Sequence, residues 1–584
     1  MDRKLDSGRQ RDWLVAGRRQ SLAAALATIA LGCSVGGCGG SGEDARTVPM
    51  SCADMATLSI PASAIALATR GAAVTDATLV AAGGTAPKTY GEYCKVTVAI
   101  APVDAAAPPI TMQLNLPAAW NKKAMMFGGG GYDGTIPDAT GNVAAGPVDQ
   151  LDPLGRGYAT FSSDSGHNAA SDPNNVAVFA LNAEARKNFS YEALKKTRDV
   201  AMYLINKRYA ENPRWRYFAG GSSGGREALA VVQKWPADFD GAIVLFPATA
   251  AASLDLQFGR ITRALAQPGA YPNLIKRQAL FNSAMQACDG LDGVVDGVVS
   301  NQTACNALYD PSTAMLDGKP LRCAGGADTG DDCLSDAQIA AMKVINTPIV
   351  FGYTVASAET GYPGYNTWGT DFGRPGTGTQ QFVNYLGLNT LAPAYPMPVS
   401  TLEAGVPPHA GFWDQWVKYF VTGDPTFNSL TLDPENPGAW QTRISELTGE
   451  QDINKTDLSA FSAHGGKILI AHGTSDQLVS TRATEDYVNR VKATMGADQT
   501  SAFLRYYEIP GYAHVVSTVF NAAWDSVTPL ERWVEGGAMP TNQVVTDTVG
   551  VPGRTRPLCE YPTWPKYKGT GDVNVAANFS CATQ

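Results

Sequence analysis

The chain has 584 residues, 44% of them hydrophobic and 17% charged, enough to bury one large core or two. Its net charge of −9 leaves no electrostatic footprint for nucleic acid, so no nucleic-acid partner is expected. Past the N-terminus no apolar run is long enough to span a membrane.

The first 45 residues read as an export signal and tether. Arg18 and Arg19 precede a small apolar segment from Leu22 to Gly32, in a setting that resembles a twin-arginine signal. Val35-Gly-Gly-Cys38 resembles a bacterial lipobox, which would make Cys38 a lipidated residue and Gly39 to Asp44 a flexible tether. A periplasmic protein, an outer-membrane-anchored lipoprotein and a plainly secreted one all fit this leader. Without Cys33 and Cys38 eight cysteines remain, at 52, 94, 288, 305, 323, 333, 559 and 581. An even count in an exported chain points to four disulfides, with 105 connectivities open and nearest-neighbour pairing the economical choice.

From Met50 to Ala118 short β-like runs alternate with turns, among them Tyr93–Ile100 and Ile110–Leu116. Lys123-Ala-Met-Met-Phe-Gly-Gly-Gly-Gly-Tyr-Asp-Gly134 is an apolar strand running into four glycines, the form of an α/β-hydrolase oxyanion loop as much as of a glycine turn. Residues 157–167 make another strand with a polar end, and 191–209 a helix with Ala193, Thr197, Val200, Ala201 and Leu204 on one face. Arg216 to Gln233 then passes from an apolar run through Gly220-Gly-Ser-Ser-Gly-Gly225 directly into helix formers. That is the layout of a nucleophile elbow, in which a serine sits on a strained strand-to-helix turn. Two registers fit, with Ser222 or with Ser223 as nucleophile.

Gly241–Phe246 is a buried strand. From about Ala248 the βα alternation stops, and it resumes at Lys467–His472, helix 481–495 and strand 503–509. The expected fold is therefore α/β, an α/β-hydrolase doubly wound sheet, with core segments at 46–248 and 459–584 and an inserted lid at 249–458.

A serine needs a base, and the base an orienting acid, in the chain order Ser, Asp or Glu, His. Of the five histidines, His167 precedes the elbow, His409 lies in the insert, His464 precedes a core strand and His472 ends it. His514 alone occupies a loop after the last core strand, and Asp476 sits just past the strand before it. Ser222, Asp476 and His514 thus each follow an apolar strand.

In the insert, Cys288-Asp-Gly-Leu-Asp-Gly-Val-Val-Asp-Gly-Val298 places Asp289, Asp292 and Asp296 on one short loop. Three carboxylates so close call for a cation, and with the carbonyls of Val294 and Val298 the donor set suits Ca²⁺, though the spacing is not that of an EF-hand.

With these pieces placed, the chain resembles the tannase/feruloyl esterase family from Cys52 to Cys581. The family elbow Gly-Cys-Ser-x-Gly-Gly-Arg is similar to Gly220-Gly-Ser-Ser-Gly-Gly-Arg226, which makes Ser222 the nucleophile and Ser223 an oxyanion residue. Gly130 and Gly131 fall in the family's oxyanion loop; Asp476 in Gly-Thr-Ser-Asp and His514 in Pro-Gly-Tyr-Ala-His match its other triad loops. The resemblance also implies a structural calcium ion in the lid at Asp289, Asp292, Val294, Asp296 and Val298. It implies the pairings Cys52–Cys94, Cys288–Cys305, Cys323–Cys333 and Cys559–Cys581. One departure stands out: the cysteines that the family bridges beneath its triad are Gly221 and Val515 here, so packing must hold His514 in place. The function implied is an exported serine carboxylic-ester hydrolase, a monomer acting on small aromatic esters of feruloyl, galloyl or terephthalate-monoester type. The lid aromatics Trp368, Phe412, Trp413 and Trp416 are candidates to stack on the substrate or to form lid core. A serine peptidase on the same fold and a non-catalytic, calcium-stabilised surface lipoprotein are the alternatives.

Overall fold

The computed structural model of the protein describes residues 49–583 apart from Asn142. The leader, with Arg18, Arg19, Cys33 and Cys38, lies outside the described residues. Among those described, no helix is long and apolar enough to cross a membrane.

Ten strands form the main sheet: β1 (Ser59–Ile60), β2 (Ala72–Val80), β3 (Tyr93–Ile100), β4 (Ile110–Pro117), β5 (Lys123–Phe127), β6 (Ala159–Ser163), β7 (Trp215–Gly221), β8 (Gly241–Leu245), β9 (Lys467–Gly473) and β10 (Leu504–Ile509). Their order is β1-β2-β3-β4-β6-β5-β7-β8-β9-β10. Pairing is antiparallel from β1 to the β4–β6 junction and parallel from β6 to β10. The side chains record this division. Along β3, Val96, Val98 and Ile100 are buried and alternate with half-exposed Lys95, Thr97 and Ala99, whereas β8 is buried throughout because both its faces are covered.

The helices that bear on the site are α1 (Ala193–Tyr209), α2 (Ser223–Lys234), α3 (Ala251–Leu265), α4 (Leu274–Cys288), α5 (Pro408–Gln415), α6 (Gln441–Gln451), α7 (Thr481–Met495) and α8 (Val527–Gly536). One apolar core joins α1, α2 and α7 to a face of the sheet through Leu204, Leu229, Val488 and Ile468. A second, built on Tyr217, Ile243, Leu469, Leu530 and Trp533, seats α8 on the other face. The 221 residues from Phe246 to Gly466 lie in sequence between neighbouring strands β8 and β9, and their helices gather a third core around Ile261, Trp413, Trp416 and Leu447.

Strand β5 is followed outward by β6, and the chain then crosses back to lay β7 on the other side of β5. The winding reverses between β5 and β7, so the loops leaving their carboxyl ends diverge and open a crevice, the general position of ligands in open α/β sheets. Those two loops are the glycine run 128–131 and the elbow at Ser222.

Four disulfides close as nearest neighbours: Cys52–Cys94, Cys288–Cys305, Cys323–Cys333 and Cys559–Cys581, with Cα separations of 5.5, 5.3, 4.9 and 5.5 Å. These separations are those of ordinary disulfides.

Candidate active site

β7 ends at Gly221 and α2 begins at Ser223, leaving Ser222 alone in the turn at φ 59°, ψ −123°. Such a backbone costs a non-glycine residue about 1–3 kcal/mol and persists only where its surroundings hold it. Here the Ser222 N–H donates to Leu245 O at 3.0 Å, and Ala248 N–H donates to Ser222 O at 3.1 Å. The flanking glycines are set by contact between chain passes. A Cβ on Gly220 would lie 2.3 Å from Gly224 O, and one on Gly224 would lie 2.7 Å from Gly129 O. Only bare backbone lets β7, α2 and the glycine run approach so closely.

Of the two hydroxyls in question, that of Ser223 donates to Gly131 O at 2.6 Å, whereas that of Ser222 donates to His514 Nε2 at 3.0 Å. His514 Nδ1–H in turn donates to Asp476 Oδ2 at 2.8 Å. His514 is held by its backbone as well, its N–H donating to Gln477 Oε1 at 3.1 Å. Asp476 is wholly enclosed: its Oδ1 accepts the N–H groups of Leu478 and Val479, both at 2.8 Å, and its Oδ2 also faces His472 Nε2 at 3.2 Å. Burial would raise this carboxyl, but His514 and His472 outweigh it and hold Asp476 well below the ordinary carboxylate range. The loop after β9 does not cap α7 with Asp476; Ser480 takes the N-cap position.

Opposite Ser222, Gly130 and Gly131 sit at the mouth of the glycine run. Among the described residues no acceptor takes the N–H of Gly130, Gly131 or Ser223, while Gly128 and Gly129 donate to Ala219 O and Glu227 Oε2. Three free donors beside an aligned serine are what a tetrahedral oxyanion requires.

Ser222 and His514 open on a cavity of about 290 Å³, lined on its apolar side by Phe189, Leu254, Phe258 and Phe412 and on its polar side by Asp255 and Gln451. Of the four candidate lid aromatics, Phe412 reaches this cavity. Trp413 and Trp416 are fully buried, stack on each other 6.0 Å apart, and donate from Nε1 to Ser429 O and Gln451 Oε1. Trp368 packs against Tyr309 in the same core. Phe258 and Asp255, one turn apart on α3, carry no sequence signal of a site; they read as one polar residue on a core helix.

The loop after α4 gathers its three carboxylates unevenly. Asp289 accepts the N–H groups of Asp296, Gly297 and Val298 at 3.2, 2.9 and 3.2 Å, and Asp296 is paired with the buried guanidinium of Arg556. Asp292 is fully buried, and its Oδ2 has no partner among the described residues. Burial, then the neighbouring acids, push its carboxyl up to about 6, despite the Val294 N–H that donates to its Oδ1 at 3.1 Å and works the other way. Among the described residues no group of three or more His, Cys, Asp or Glu is drawn together around one point. The donor chemistry, hard oxygens with one orphaned buried carboxylate oxygen, nevertheless fits a calcium ion.

A mostly parallel sheet with a strained serine, a histidine and an aspartate on loops past its carboxyl edge defines an α/β-hydrolase, and its relatives make the class a carboxylic ester hydrolase. A model of tannase and feruloyl esterase matches residues 94–582, and the chain belongs to that family. It is 39% identical over 542 residues to an uncharacterized esterase of Agrobacterium fabrum, covering 91% of this chain and 93% of that one. It is 31% identical to the mono(2-hydroxyethyl) terephthalate hydrolase of Piscinibacter sakaiensis, covering 84% and 85%. Its fold matches the crystal structure of feruloyl esterase B from Aspergillus oryzae with a TM-score of 0.68 at 21% identity, over 88% of this chain and 98% of that one. Tannin acyl hydrolase from Aspergillus niger matches with a TM-score of 0.63, also at 21% identity, over 89% and 94%.

Proposed function

We propose that this protein is an exported serine esterase that hydrolyses esters of aromatic acids through Ser222, His514 and Asp476. The observation that carries the reading is the hydrogen-bonded line from Ser222 Oγ through His514 to Asp476, at 3.0 and 2.8 Å, between residues 292 and 38 positions apart in sequence.

In this reading His514 Nε2 takes the Ser222 proton as Oγ attacks the ester carbonyl. Asp476 fixes the tautomer that leaves Nε2 free and stabilises the imidazolium that forms. The N–H groups of Ser223 and of Gly130 or Gly131 hold the oxyanion, each such donor lowering the barrier by roughly 3–4 kcal/mol. The imidazolium then protonates the departing alcohol, and water repeats the sequence on the acyl-enzyme.

The apolar wall of Phe189, Phe258 and Phe412 supports a flat aromatic acyl group. The names of the relatives, a terephthalate monoester hydrolase and feruloyl esterases, point the same way. Calcium would be held by Asp289, Asp292, Asp296 and the carbonyls of Val294 and Val298, where it would join the loop's acids. Export is supported by Arg18, Arg19 and the apolar run after them, and by four disulfides, which belong to oxidising compartments. Cys38 would carry the lipid; Cys38→Ser should then release the protein from membranes.

The deciding experiment sets Ser222→Ala beside the wild type on methyl ferulate, methyl gallate and a terephthalate monoester, with a fluorophosphonate probe and a peptide substrate as controls. Ester turnover and labelling that vanish together in Ser222→Ala support the reading. Loss in Ser223→Ala with Ser222→Ala active would overturn it, and cleavage of the peptide in preference to every ester would make the protein a peptidase.

A further inference from the structure

Beneath the glycine run two carboxyl side chains meet away from water. Asp133, at the end of the run, is 8% exposed, and Glu227, in the first turns of α2, is 3% exposed. Glu227 Oε2 accepts the Gly129 N–H at 2.9 Å, so it ties the glycine run to the helix that carries the elbow. Asp133 lies against the same backbone: a Cβ on Gly129 would come 2.5 Å from Asp133 Oδ1. Among the described residues neither oxygen of Asp133 accepts a hydrogen bond; the Glu227 carboxyl and the Ser165 hydroxyl lie beside them, and the hydroxyl donates instead to Asp164 O at 2.7 Å. Two buried carboxylates in contact repel, and a buried acid oxygen without a donor is costly. A proton between the two removes both problems at once.

We propose that Asp133 and Glu227 share one proton, with Asp133 donating to Glu227, and that this pair positions Gly129–Gly131 against the elbow. The inference rests on Gly130 and Gly131 serving as oxyanion donors. Burial and then the Glu227 charge raise Asp133 well above the ordinary range, while Arg226, the bond from Asp133 and the Gly129 N–H restrain a smaller, burial-driven rise at Glu227; the proton therefore sits on Asp133. The charged group that acts on both members of the pair is Arg226 on α2. Arg226 balances the one remaining negative charge and is itself held by Ser190 O and Phe189 O at 2.9 and 3.2 Å. Neither acid borders the cavity at Ser222, so both act through the loop. When alkali removes the Asp133 proton, two anions face each other under Gly129 and the loop is pushed from its place.

Asp133→Asn and Asp133→Leu test this against the wild type, on a neutral methyl ester across pH and by infrared difference spectroscopy. Asn keeps a permanent donor to Glu227. It should hold kcat near the wild-type value at neutral pH and lack the alkaline fall that the wild type shows. Leu should lower kcat at least tenfold with KM little changed, part of the roughly 10²–10³ that an oxyanion donor contributes. The wild type minus Asp133→Asn spectrum at neutral pH should show the carbonyl band of a protonated carboxylic acid. Absence of that band, or superimposable pH profiles for the wild type and Asp133→Asn, would overturn the shared proton. Asp133→Leu with unchanged kcat would overturn the positioning role; if Leu does not fold, Asp133→Asn decides alone. A wild type that turns over no ester at any pH would instead sink the parent reading.

Discussion

The ring of Phe246 stands edge-on to His514, centroids 4.9 Å apart, and occupies the space that any side chain on Gly221 would need. A Cβ at 221 would fall 2.6 Å from the Phe246 Cε2 and Cζ atoms. Phe246 itself is buried and takes φ 34°, a strained backbone for an aromatic residue, just where β8 ends. Where the family pattern leads one to expect a bridged cysteine pair, this chain has a glycine and an aromatic wedge instead. The ring packs against His514 in this place. Gly221→Ala should therefore drive the ring into His514 and lower kcat by roughly 10²-fold, the effect of about 1 Å of misplacement, with little change in KM. Phe246→Leu should lower kcat less and Tm more. Steady-state kinetics beside thermal melts check both; a Gly221→Ala enzyme with wild-type kcat would show that the wedge does not place His514.

Asp476 serves two histidines. His472, fully buried, directs Nε2 at Asp476 Oδ2 while its Nδ1 meets Thr484 Oγ1 at 2.9 Å. The second histidine thus brings another ring nitrogen to the same Oδ2 that faces His514, while Oδ1 is held by the Leu478 and Val479 N–H groups. Asp476→Asn should reduce kcat by about 10⁴ by favouring the wrong tautomer of His514. His472→Phe should reduce kcat by a smaller factor, roughly tenfold, the worth of one hydrogen bond to a charged group. Burst kinetics on an activated ester measure acylation directly; equal rates in His472→Phe and the wild type would reduce His472 to a core residue.

The sheet was legible in the sequence because its strands are apolar runs ended by glycine, proline or polar loops. Helix 481–495 reads identically in sequence and structure, and strand 504–509 begins one residue later than its apolar run. The Ser222–His514–Asp476 line was legible because chain order leaves one histidine after the last core strand. What resisted reading is what depends on non-local packing. Glu227 looks like an ordinary helix former, yet it accepts from Gly129 across 98 residues. Asp255 sits on a core helix where a single acid gives no periodic signal. Trp413 and Trp416 are aromatic in a segment expected to cover the site, and composition does not say that, of these three neighbours, it is Phe412 that lines the cavity.

Acid–base behaviour gives a test of how the two ends of the insert are fastened to each other. Asp452 follows α6 and accepts the N–H groups of Ala252 and Ser253 and the Ser253 hydroxyl, which fastens the start of α3. Burial raises its carboxyl to about 7, against hydrogen bonds that favour the charged form. The folded state then holds this proton over a range in which the unfolded chain, near 4, has lost it, so stability falls as pH rises from about 4 to about 7. Asp452→Asn keeps an oxygen for the two N–H groups and never ionises. Its Tm relative to the wild type should rise across that window and level off above it. A constant difference between pH 4 and 8 would mean that Asp452 titrates normally.

The proposed calcium ion gives a test that separates stability from chemistry. The acidic loop follows α4 and is bonded to the C-terminal region: Arg556 pairs with Asp296, and Arg554 donates to Asp296 O at 2.9 Å. Arg556 thus already answers one of the three acids, and the orphaned Asp292 oxygen is the group most in need of a cation. An ion bound only by the folded state stabilises it by about 2.7 kcal/mol at a hundred times its Kd. Chelation should therefore lower Tm by several degrees and leave kcat nearly unchanged, since Ser222 and His514 are positioned by other loops. Asp292→Asn should lower the response to added Ca²⁺ more than Asp296→Asn does, because Arg556 competes at Asp296. Melts with chelator, then with Ca²⁺ or Mg²⁺ restored, decide it: a Tm unmoved by chelation would leave Arg556 as the loop's cation and remove the metal from this protein.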